Sequence, residues 1–309
     1  MIVCTAQRQR ARSKDRRRRR YPLLAIPLIS RAAQAAYDET VGSNRPTADM
    51  GTGPASQAAK PAWDGQALQG DPHRRDDKAQ RVQAMFTAIA HAYDINNRLH
   101  SLGLDQSWRR RTVRLVEPIV GSRVLDVACG TGDLTEAFAR AGATEVTGLD
   151  YTAAMLDHAR VKAAKAGGAV GRIHYLQGDA QSLPFPDASF DIVSIAFGIR
   201  NVADPAKAIA EFRRVLAPGG RLAILEFSRP KAGFVRFVSD LYTQRIMPWT
   251  ASLIARDGSG AYHYLPKSVE TFLDPSALSA QLCSAGFVHV TAHPMTMKTC
   301  TVLIGRVAS

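Results

Sequence analysis

The chain has 309 residues, 46% of them hydrophobic, so it is long enough to bury one sizeable core. Its formal net charge is +13, but nine Arg or Lys residues and one Asp in residues 1–20 contribute +8 of this and leave +5 for the rest. The basic balance is therefore mainly a property of the tail, and it does not indicate that the domain binds nucleic acid.

Residues 1–77 are predicted to be a disordered basic and low-complexity extension. The apolar run at residues 21–29 follows five arginines, contains two prolines and is too short to span a bilayer. It resembles a signal peptide or a transit peptide, and translated sequence upstream of the true start is a further alternative. Residues 42–77 contain few large apolar side chains, as linkers do. We place the start of the folded domain at Lys78.

The first predicted helix of the domain carries one apolar stripe at helical spacing, formed by Val82, Met85, Phe86, Ile89 and Tyr93. This segment, and a second helix predicted at residues 106–118, precede the first strand of the sheet. The segment can therefore fold over a site as a lid. On periodicity alone, a plain amphipathic helix followed by a polar turn is the preferred interpretation.

Residues 124–133 are the stretch around which the chain is organised. Their sequence predicts a short buried strand, a glycine turn with Gly130 and Gly132, and then a helix. Such a turn brings backbone N–H groups close to a nucleotide-like ligand. Thr135 stands where a dinucleotide fingerprint has its third glycine, which weakens the NAD interpretation. Asp150 ends the next strand, where a carboxylate either accepts both hydroxyls of a ribose or is simply a surface acid.

The remaining pattern alternates strands with helices. Strands are predicted at residues 172–177, 190–197, 221–227, 287–294 and 299–306, and helices at residues 152–166, 205–216 and 275–285. The last two strands are joined by a short turn and should form an antiparallel hairpin. We therefore predict an α/β fold with a seven-stranded, mostly parallel, Rossmann-like sheet, an antiparallel last strand and helices on both faces.

The motif D-x-A-C-G-T-G-D at residues 126–133, with an acid ending the next strand, resembles motif I of class I S-adenosylmethionine-dependent methyltransferases. Gly178-Asp179-Ala180 after the third strand, and residues 190–195 and 214–222, match the same superfamily in order and spacing. The resemblance implies S-adenosylmethionine as methyl donor and no metal. It also implies that Asp150 takes the ribose hydroxyls and that Asp179 and Ala180 flank the adenine. The remaining implied cofactor contacts are Asp126, Gly130, Thr131 and Gly132.

Residues 93–108 and 214–228 carry a narrower resemblance, to the menaquinone/ubiquinone C-methyltransferase family. The first reads Y-D-x-x-N-x-x-x-S-x-G-x-x-x-x-W, and the second reads R-V-L-x-P-G-G-x-L-x-x-L-E-F-S. The likeness runs from about residue 82 to residue 307. The family often has Met at the position of Asn96 and His at that of Asp105, so a role of that His in holding the quinol is not carried over.

The resemblance implies methyl transfer to a ring carbon of a polyprenyl quinol, with demethylmenaquinol as the favoured acceptor. Methylation of 2-polyprenyl-6-methoxy-1,4-benzoquinol in the ubiquinone pathway, another small-molecule acceptor, and a non-catalytic cofactor-binding subunit remain as alternatives. Arg200 and Asn201 follow the fourth strand and are expected to stabilise a phenolate. Tyr93 in the lid is the third expected catalytic residue, and the general base stays unassigned.

An insertion at residues 229–273 contains a second apolar stripe with helical period, from Phe234 to Tyr242. It either packs on the core or on a second subunit, which would make a homodimer, or forms a wall for an isoprenoid tail. The expected partners are a lipophilic quinol and no nucleic acid. We expect a cytoplasmic protein without a transmembrane span, and we leave open peripheral contact with the inner face of the membrane.

The four cysteines show no paired spacing, which indicates neither a disulfide framework nor a zinc site. Cys129 lies in the glycine turn and is interpreted as a packing residue.

Overall fold

A computed structural model describes residues 61–166, 173–229, 233 and 259–309. Residues 1–60 of the extension predicted at residues 1–77, and the insertion helix predicted from Phe234 to Tyr242, lie outside these ranges. The homodimer expected from that insertion therefore stays a prediction.

The sheet has seven strands in the order β3-β2-β1-β4-β5-β7-β6. Strands β1 to β5 are parallel, whereas β7 runs antiparallel to both β5 and β6. The predicted fold class is confirmed, including the terminal hairpin. In chain order the strands are β1 (Arg123–Val127), β2 (Glu145–Asp150), β3 (Ile173–Gln177), β4 (Phe190–Ala196), β5 (Leu216–Phe227), β6 (Val288–Met295) and β7 (Cys300–Arg306).

Eight α-helices are described. They are α1 (Lys78–Ile89), α2 (Tyr93–His100), α3 (Leu104–Leu115), α4 (Asp133–Arg140), α5 (Ala153–Ala166), α6 (Pro205–Val215), α7 (Ala261–Thr271) and α8 (Pro275–Ser284). Asp204 and Asp274 cap α6 and α8 with their side chains, and each is followed by a proline at the first helical position. Short 3₁₀ turns lie at Pro72–Arg74, Ala90–Ala92, Ile199–Asn201 and Thr296–Lys298.

Two boundaries differ from the sequence prediction. The second lid helix ends at Leu115 rather than at residue 118. Pro118, which lacks a backbone N–H, follows it closely. Strand β5 begins at Leu216 because that residue pairs with Phe190 across an irregularity in the β4–β5 ladder, whereas the sequence assigned it to the preceding helix.

Strand β1 has both faces covered. Val124 packs with one cluster that includes Trp108 and Phe138, and Leu125 packs with the other, which includes Phe212. All three residues Val124, Leu125 and Val127 are fully buried, as expected for a parallel sheet sandwiched between helices. The central strand therefore holds the glycine turn that follows it in a fixed position.

A third apolar cluster joins the N-terminal segment to α7. The ring of Trp63 is buried and stacks on Tyr264, with 4.4 Å between the ring centroids. The backbone N–H of Trp63 donates to the carbonyl of Ser259 at 3.0 Å. The predicted boundary at Lys78 leaves this packing out, because one tryptophan among polar residues gives no periodic signal. Helix α7 was also missed, since Pro266 interrupts its pattern.

In the part of the chain that the structure describes, no helix combines the length and the apolar composition that crossing a bilayer requires.

Candidate active site

A cleft opens at the carboxyl edge of the sheet. This edge is where open α/β sheets bind their ligands. Helices α1 and α2 cover the cleft from above, as expected of a lid. Among its lining residues are Phe86 and Tyr93 from the lid, Gly130, Asp150, Met155, Asp179 and Ala180 around β1 to β3, and Phe197, Gly198 and Asn201 after β4.

Asp150 is held in place by the two loops beside it. Its Oδ2 accepts a hydrogen bond from the Gly130 N–H at 2.8 Å, and its Oδ1 accepts one from the Thr152 N–H at 2.8 Å. Burial raises the pKa of this carboxyl, and the backbone N–H groups partly offset that effect. Each carboxylate oxygen can still accept another hydrogen bond, so Asp150 is suited to a pair of ribose hydroxyls.

The glycine turn is as tight as its sequence suggests. Gly132 has φ +84°, and a Cβ atom added there would lie 2.2 Å from the Tyr175 hydroxyl. Both the backbone conformation and the space therefore require glycine. Cys129 lies in the same turn and is partly buried. Removal of its thiol from water raises the pKa of that group, so the thiol is protonated near neutral pH. This agrees with a packing role.

Asp126 and Thr131, which were predicted to contact the cofactor, lie behind the cleft wall. Asp126 accepts hydrogen bonds from Thr135 Oγ1 at 2.7 Å and from Ser194 Oγ at 2.8 Å, and burial raises its pKa to about 6. It thereby joins β1 to α4 and β4. Thr131 donates to Asp94 Oδ1 at 2.5 Å, which ties the glycine turn to the lid.

A charged network fastens the lid to the start of α4. The Asp133 carboxylate accepts hydrogen bonds from Arg98 at 3.1 Å, Gln106 at 2.9 Å and Lys162 at 2.6 Å. Burial alone would raise the pKa of Asp133, but the charges of Arg109 and Lys162 outweigh it and hold that pKa at about 2. The lid is therefore attached to the glycine turn by ion pairs as well as by apolar contacts.

The far wall of the cleft is formed by the turn after β4. Asn201 Nδ2 donates to the Phe197 carbonyl at 3.2 Å, and its Oδ1 accepts from the Tyr264 hydroxyl at 3.0 Å. Burial raises the pKa of Tyr264 to about 12 and also raises that of Tyr93 across the cleft. Both phenols are therefore neutral near pH 7, and the second N–H of Asn201 is available to a ligand oxygen.

Arg200 lies one layer behind this wall and does not line the cleft. Its Nη1 donates to Glu226 Oε1 at 2.6 Å and to the Phe197 carbonyl at 2.8 Å. The guanidinium lies 5.4 Å from the centroid of the Phe227 ring. Its buried Nε has no hydrogen-bond partner among the described residues. The structure thus brings Tyr93, Asn201, Gly130, Asp150, Asp179 and Ala180 to one cleft, with Arg200, Asp126, Thr131 and Gly132 behind it.

Residues 74–306 match the model of the ubiE/COQ5 methyltransferase family. The chain belongs to this family. Demethylmenaquinone methyltransferase of Thermus thermophilus is 50% identical over 204 residues, which cover 66% of this chain and 91% of that protein. The ubiquinone/menaquinone biosynthesis C-methyltransferase UbiE of Saccharophagus degradans is 43% identical over 222 residues, which cover 71% and 88%. The predicted family, the methyltransferase activity and S-adenosylmethionine as donor are confirmed.

Solved structures of other methyltransferases share the fold of this chain. An S-adenosylmethionine-dependent methyltransferase from Thermotoga maritima superposes with a TM-score of 0.52 at 18% sequence identity, over 73% of this chain and 99% of that chain.

Three charged residues of this ubiE/COQ5 chain were not assigned from the sequence. Glu226 pairs with Arg200. Lys78 is fully buried at the start of α1, where its Nζ donates to the Val202 carbonyl at 2.5 Å, and burial lowers its pKa to about 8. Arg109 is buried in α3. Charged side chains are usually solvated, so only the tertiary structure reveals that these three are buried.

The two lid positions that depart from the family pattern are both buried. Asp105 pairs with Arg98 and accepts from Ser101 Oγ at 3.0 Å, so it belongs to the network at Asp133. Neither amide atom of Asn96 has a hydrogen-bond partner among the described residues.

Proposed function

We propose that the protein transfers a methyl group from S-adenosylmethionine to a ring carbon of demethylmenaquinol. The observation that carries this proposal is the cleft in which Asp150, suited to a ribose, faces the same space as Asn201 and Tyr93, which suit a phenolic ring. Relatives named demethylmenaquinone methyltransferase support the choice of acceptor.

The donor half of the cleft lies over β1 to β3. Asp150 accepts the two ribose hydroxyls, and Asp179 and Ala180 lie beyond the end of β3 to flank the adenine. Leu149 and Met155 add an apolar floor, which suits a flat base. When bound, S-adenosylmethionine supplies a methyl group on a positively charged sulfur, which an electron-rich ring carbon can attack.

The acceptor half lies between the lid and the turn after β4. A hydroquinone carbon becomes an adequate nucleophile once a ring hydroxyl loses its proton, because the phenolate pushes electron density onto the ortho carbon. Asn201 donates its free N–H to that oxygen, and the charge of Arg200 stabilises it from the layer behind. After attack, the ring carbon loses its proton and the aromatic ring is restored.

Arg200 is held for this role by Glu226. The carboxylate fixes one edge of the guanidinium, and the Phe227 ring lies beneath its plane, which leaves Nε free. Burial keeps the phenol of Tyr93 neutral. Tyr93 closes the cleft from the lid side and donates to an acceptor oxygen.

The benzoquinol of the ubiquinone pathway is the second candidate acceptor, because the name of the Saccharophagus degradans relative covers both pathways. The test is formation of S-adenosylhomocysteine by the full-length protein with each quinol in turn. The proposal predicts that demethylmenaquinol is turned over with the higher kcat/KM. Preference for the benzoquinol would favour the second candidate. Binding of the donor without turnover of either quinol would favour the non-catalytic subunit.

We also propose that the protein works at the cytoplasmic surface of a membrane, where its acceptor dissolves. The lid turns sharply between α2 and α3, and this lid corner exposes Ile95, Leu99, Leu102 and Leu104, with Leu102 82% exposed. Met297, 74% exposed, adds to the patch from the β6–β7 turn, where Thr296 Oγ1 accepts from Trp108 Nε1 of α3 at 2.8 Å. Clustered exposed apolar side chains mark a docking surface.

The charges beside the lid corner fit an anionic bilayer. The exposed face of α3 carries Arg110, Arg111 and Arg114, and Lys298 is exposed next to Met297. Basic residues near a surface of anionic lipids each favour binding by about 1 kcal/mol. The lid corner also adjoins the cleft, because the Trp108 ring lies 6.0 Å from that of Phe197, which lines it.

A further inference from the structure

We propose that Arg109 binds the carboxylate at the amino-acid end of S-adenosylmethionine. This inference rests on the proposed function only for the donor, since it makes no use of the acceptor. It assigns a role to a residue whose position in the sequence gives no functional signal.

Arg109 is a buried cation with open hydrogen-bonding capacity. It is 7% exposed, and neither its Nε nor its Nη1 has a hydrogen-bond partner among the described residues. Buried polar groups in folded proteins are nearly always hydrogen-bonded, and a buried charge that lacks such bonds is costly. A buried guanidinium with unpaired N–H groups is suited to binding an oxygen ligand.

The carboxylate beside Arg109 does not meet that need. Asp133 Oδ2 lies 3.7 Å from Arg109 Nε, beyond hydrogen-bond distance. That oxygen already accepts from Arg98 and Gln106, and the other oxygen accepts from Lys162. The Asp133 carboxylate is thus already engaged, and Asp105 and Asp94 pair with Arg98 and Lys162 rather than with Arg109. Among the described residues, no carboxylate accepts a hydrogen bond from Arg109 Nε or Nη1.

The position of Arg109 matches one end of the donor. Asp133 begins α4 directly after the glycine turn of β1, and the Arg109 guanidinium lies 5.4 Å from the centroid of the Phe197 ring, just past β4. Arg109 is therefore near the β1–β4 boundary, whereas Asp150 ends β2 on the other side of β1. A ribose held at Asp150 leaves the amino-acid end to extend toward Arg109.

The chemistry of the donor and of the quinol indicates which of the two Arg109 binds. The donor carries a permanent carboxylate, which a planar guanidinium binds through two parallel N–H groups. The quinol is neutral until it loses a proton, and Arg200 lies nearer its expected place, where it pairs with Glu226 of β5. Arg109 and Arg200 therefore serve opposite ends of the reaction, each beside one of two phenylalanine rings whose centroids are 4.5 Å apart.

The test compares two ligands by calorimetry on the full-length protein: S-adenosylmethionine and its decarboxylated analogue, which lacks only the carboxylate. The wild type should bind the analogue roughly ten- to hundredfold more weakly, as expected for loss of a hydrogen-bonded charge. Arg109→Met should bind both ligands with the same weak affinity. Arg110→Met, a change at the neighbouring exposed arginine, should preserve the wild-type difference.

Two results would overturn the proposal. One is equal affinity of the wild type for the two ligands, a measurement that needs no variant. The other is an Arg109→Met protein that still discriminates between them. If that variant does not fold, Arg109→Lys, which keeps the charge without the planar fork, should show a reduced difference, and an unchanged difference would count against the proposal. Neither result depends on the acceptor, so the assignment of the quinol is tested separately.

Discussion

Asp150 is the residue on which donor binding should depend most. The sequence predicted it from its place at the end of the second strand, and the structure adds the two N–H groups that orient its carboxylate. Asp126 shows the limit of such reasoning, since its motif position suggested a ligand contact but its oxygens are directed to Thr135 and Ser194. A motif gives residue types, whereas the directions of the side chains come from packing.

Asp150→Ala should weaken binding of S-adenosylhomocysteine by more than about a hundredfold, because each lost hydrogen bond to a charged group is worth about 1.5–3 kcal/mol. Calorimetry on the purified variant measures this. Asp157→Ala, at an acid of α5 whose side chain is 73% exposed, is the matched control and should bind normally. Unchanged affinity in Asp150→Ala would refute the ribose assignment.

Arg200 should affect the rate and spare donor binding. We expect Arg200→Met to lower kcat by about 10²–10³, the usual effect of removing a group that stabilises developing negative charge. Because the change leaves Glu226 buried without its partner, the double variant Arg200→Met/Glu226→Gln controls for stability. Steady-state kinetics would contradict the assignment if both proteins turned over demethylmenaquinol at the wild-type rate.

Lys78 gives the fold a specific pH dependence. Burial lowers its pKa from 10.5 to about 8, so between these pH values the unfolded state holds the proton that the folded state has released. Stability should therefore rise with pH through this window, by about 3 kcal/mol relative to Lys78→Met. Urea unfolding of both proteins at pH 8 and pH 10.5 measures the difference, and a constant gap between them would show that Lys78 is not buried as described.

At the scale of elements, the sequence predicted nearly the whole sheet. Period and turn residues located all seven strands and the four helices that follow β1, β2, β4 and the insertion, because the sheet is buried on both faces and its strands are continuous apolar runs. Helix α7, interrupted by Pro266, and the segment at Trp63 escaped prediction, and they pack on each other through a ring stack between residues distant in the chain. Such pairings leave no local pattern.

The lid corner is the element that should bring the enzyme to its substrate. Leu102→Asp combined with Met297→Asp should abolish flotation of the protein with vesicles containing phosphatidylglycerol, since both apolar contact and charge attraction are weakened. Val120→Asp is the matched control: Val120 is 80% exposed but precedes β1 at the opposite edge of the sheet. Activity on a short-chain quinol in solution should stay normal in both variants.

Flotation of the double variant at the wild-type level would refute the lid corner as the docking surface. Loss of flotation in Val120→Asp as well would indicate a general apolar effect rather than a surface.

At the scale of the whole molecule, the reaction is divided along the sheet. In the proposed reaction, strands β1 to β3 carry the groups assigned to the donor, the turns after β4 and β5 carry those assigned to the acceptor, and the lid spans both. The order of the strands could be predicted from the resemblance to class I methyltransferases. The sequence predicted a role for Arg200 but none for Arg109. Each guanidinium lies over a phenylalanine ring, Phe197 for Arg109 and Phe227 for Arg200, and the sequence does not show such packing.

The methyl group is transferred to a ring carbon and not to oxygen, as the family of C-methyltransferases implies. The direct measurement is mass analysis of the product formed from demethylmenaquinol that carries deuterium at the ring carbon to be methylated. Methylation of that carbon predicts a product that has gained a methyl group and lost the deuterium. A methylated product that retains the deuterium would place the new bond on oxygen and contradict the account.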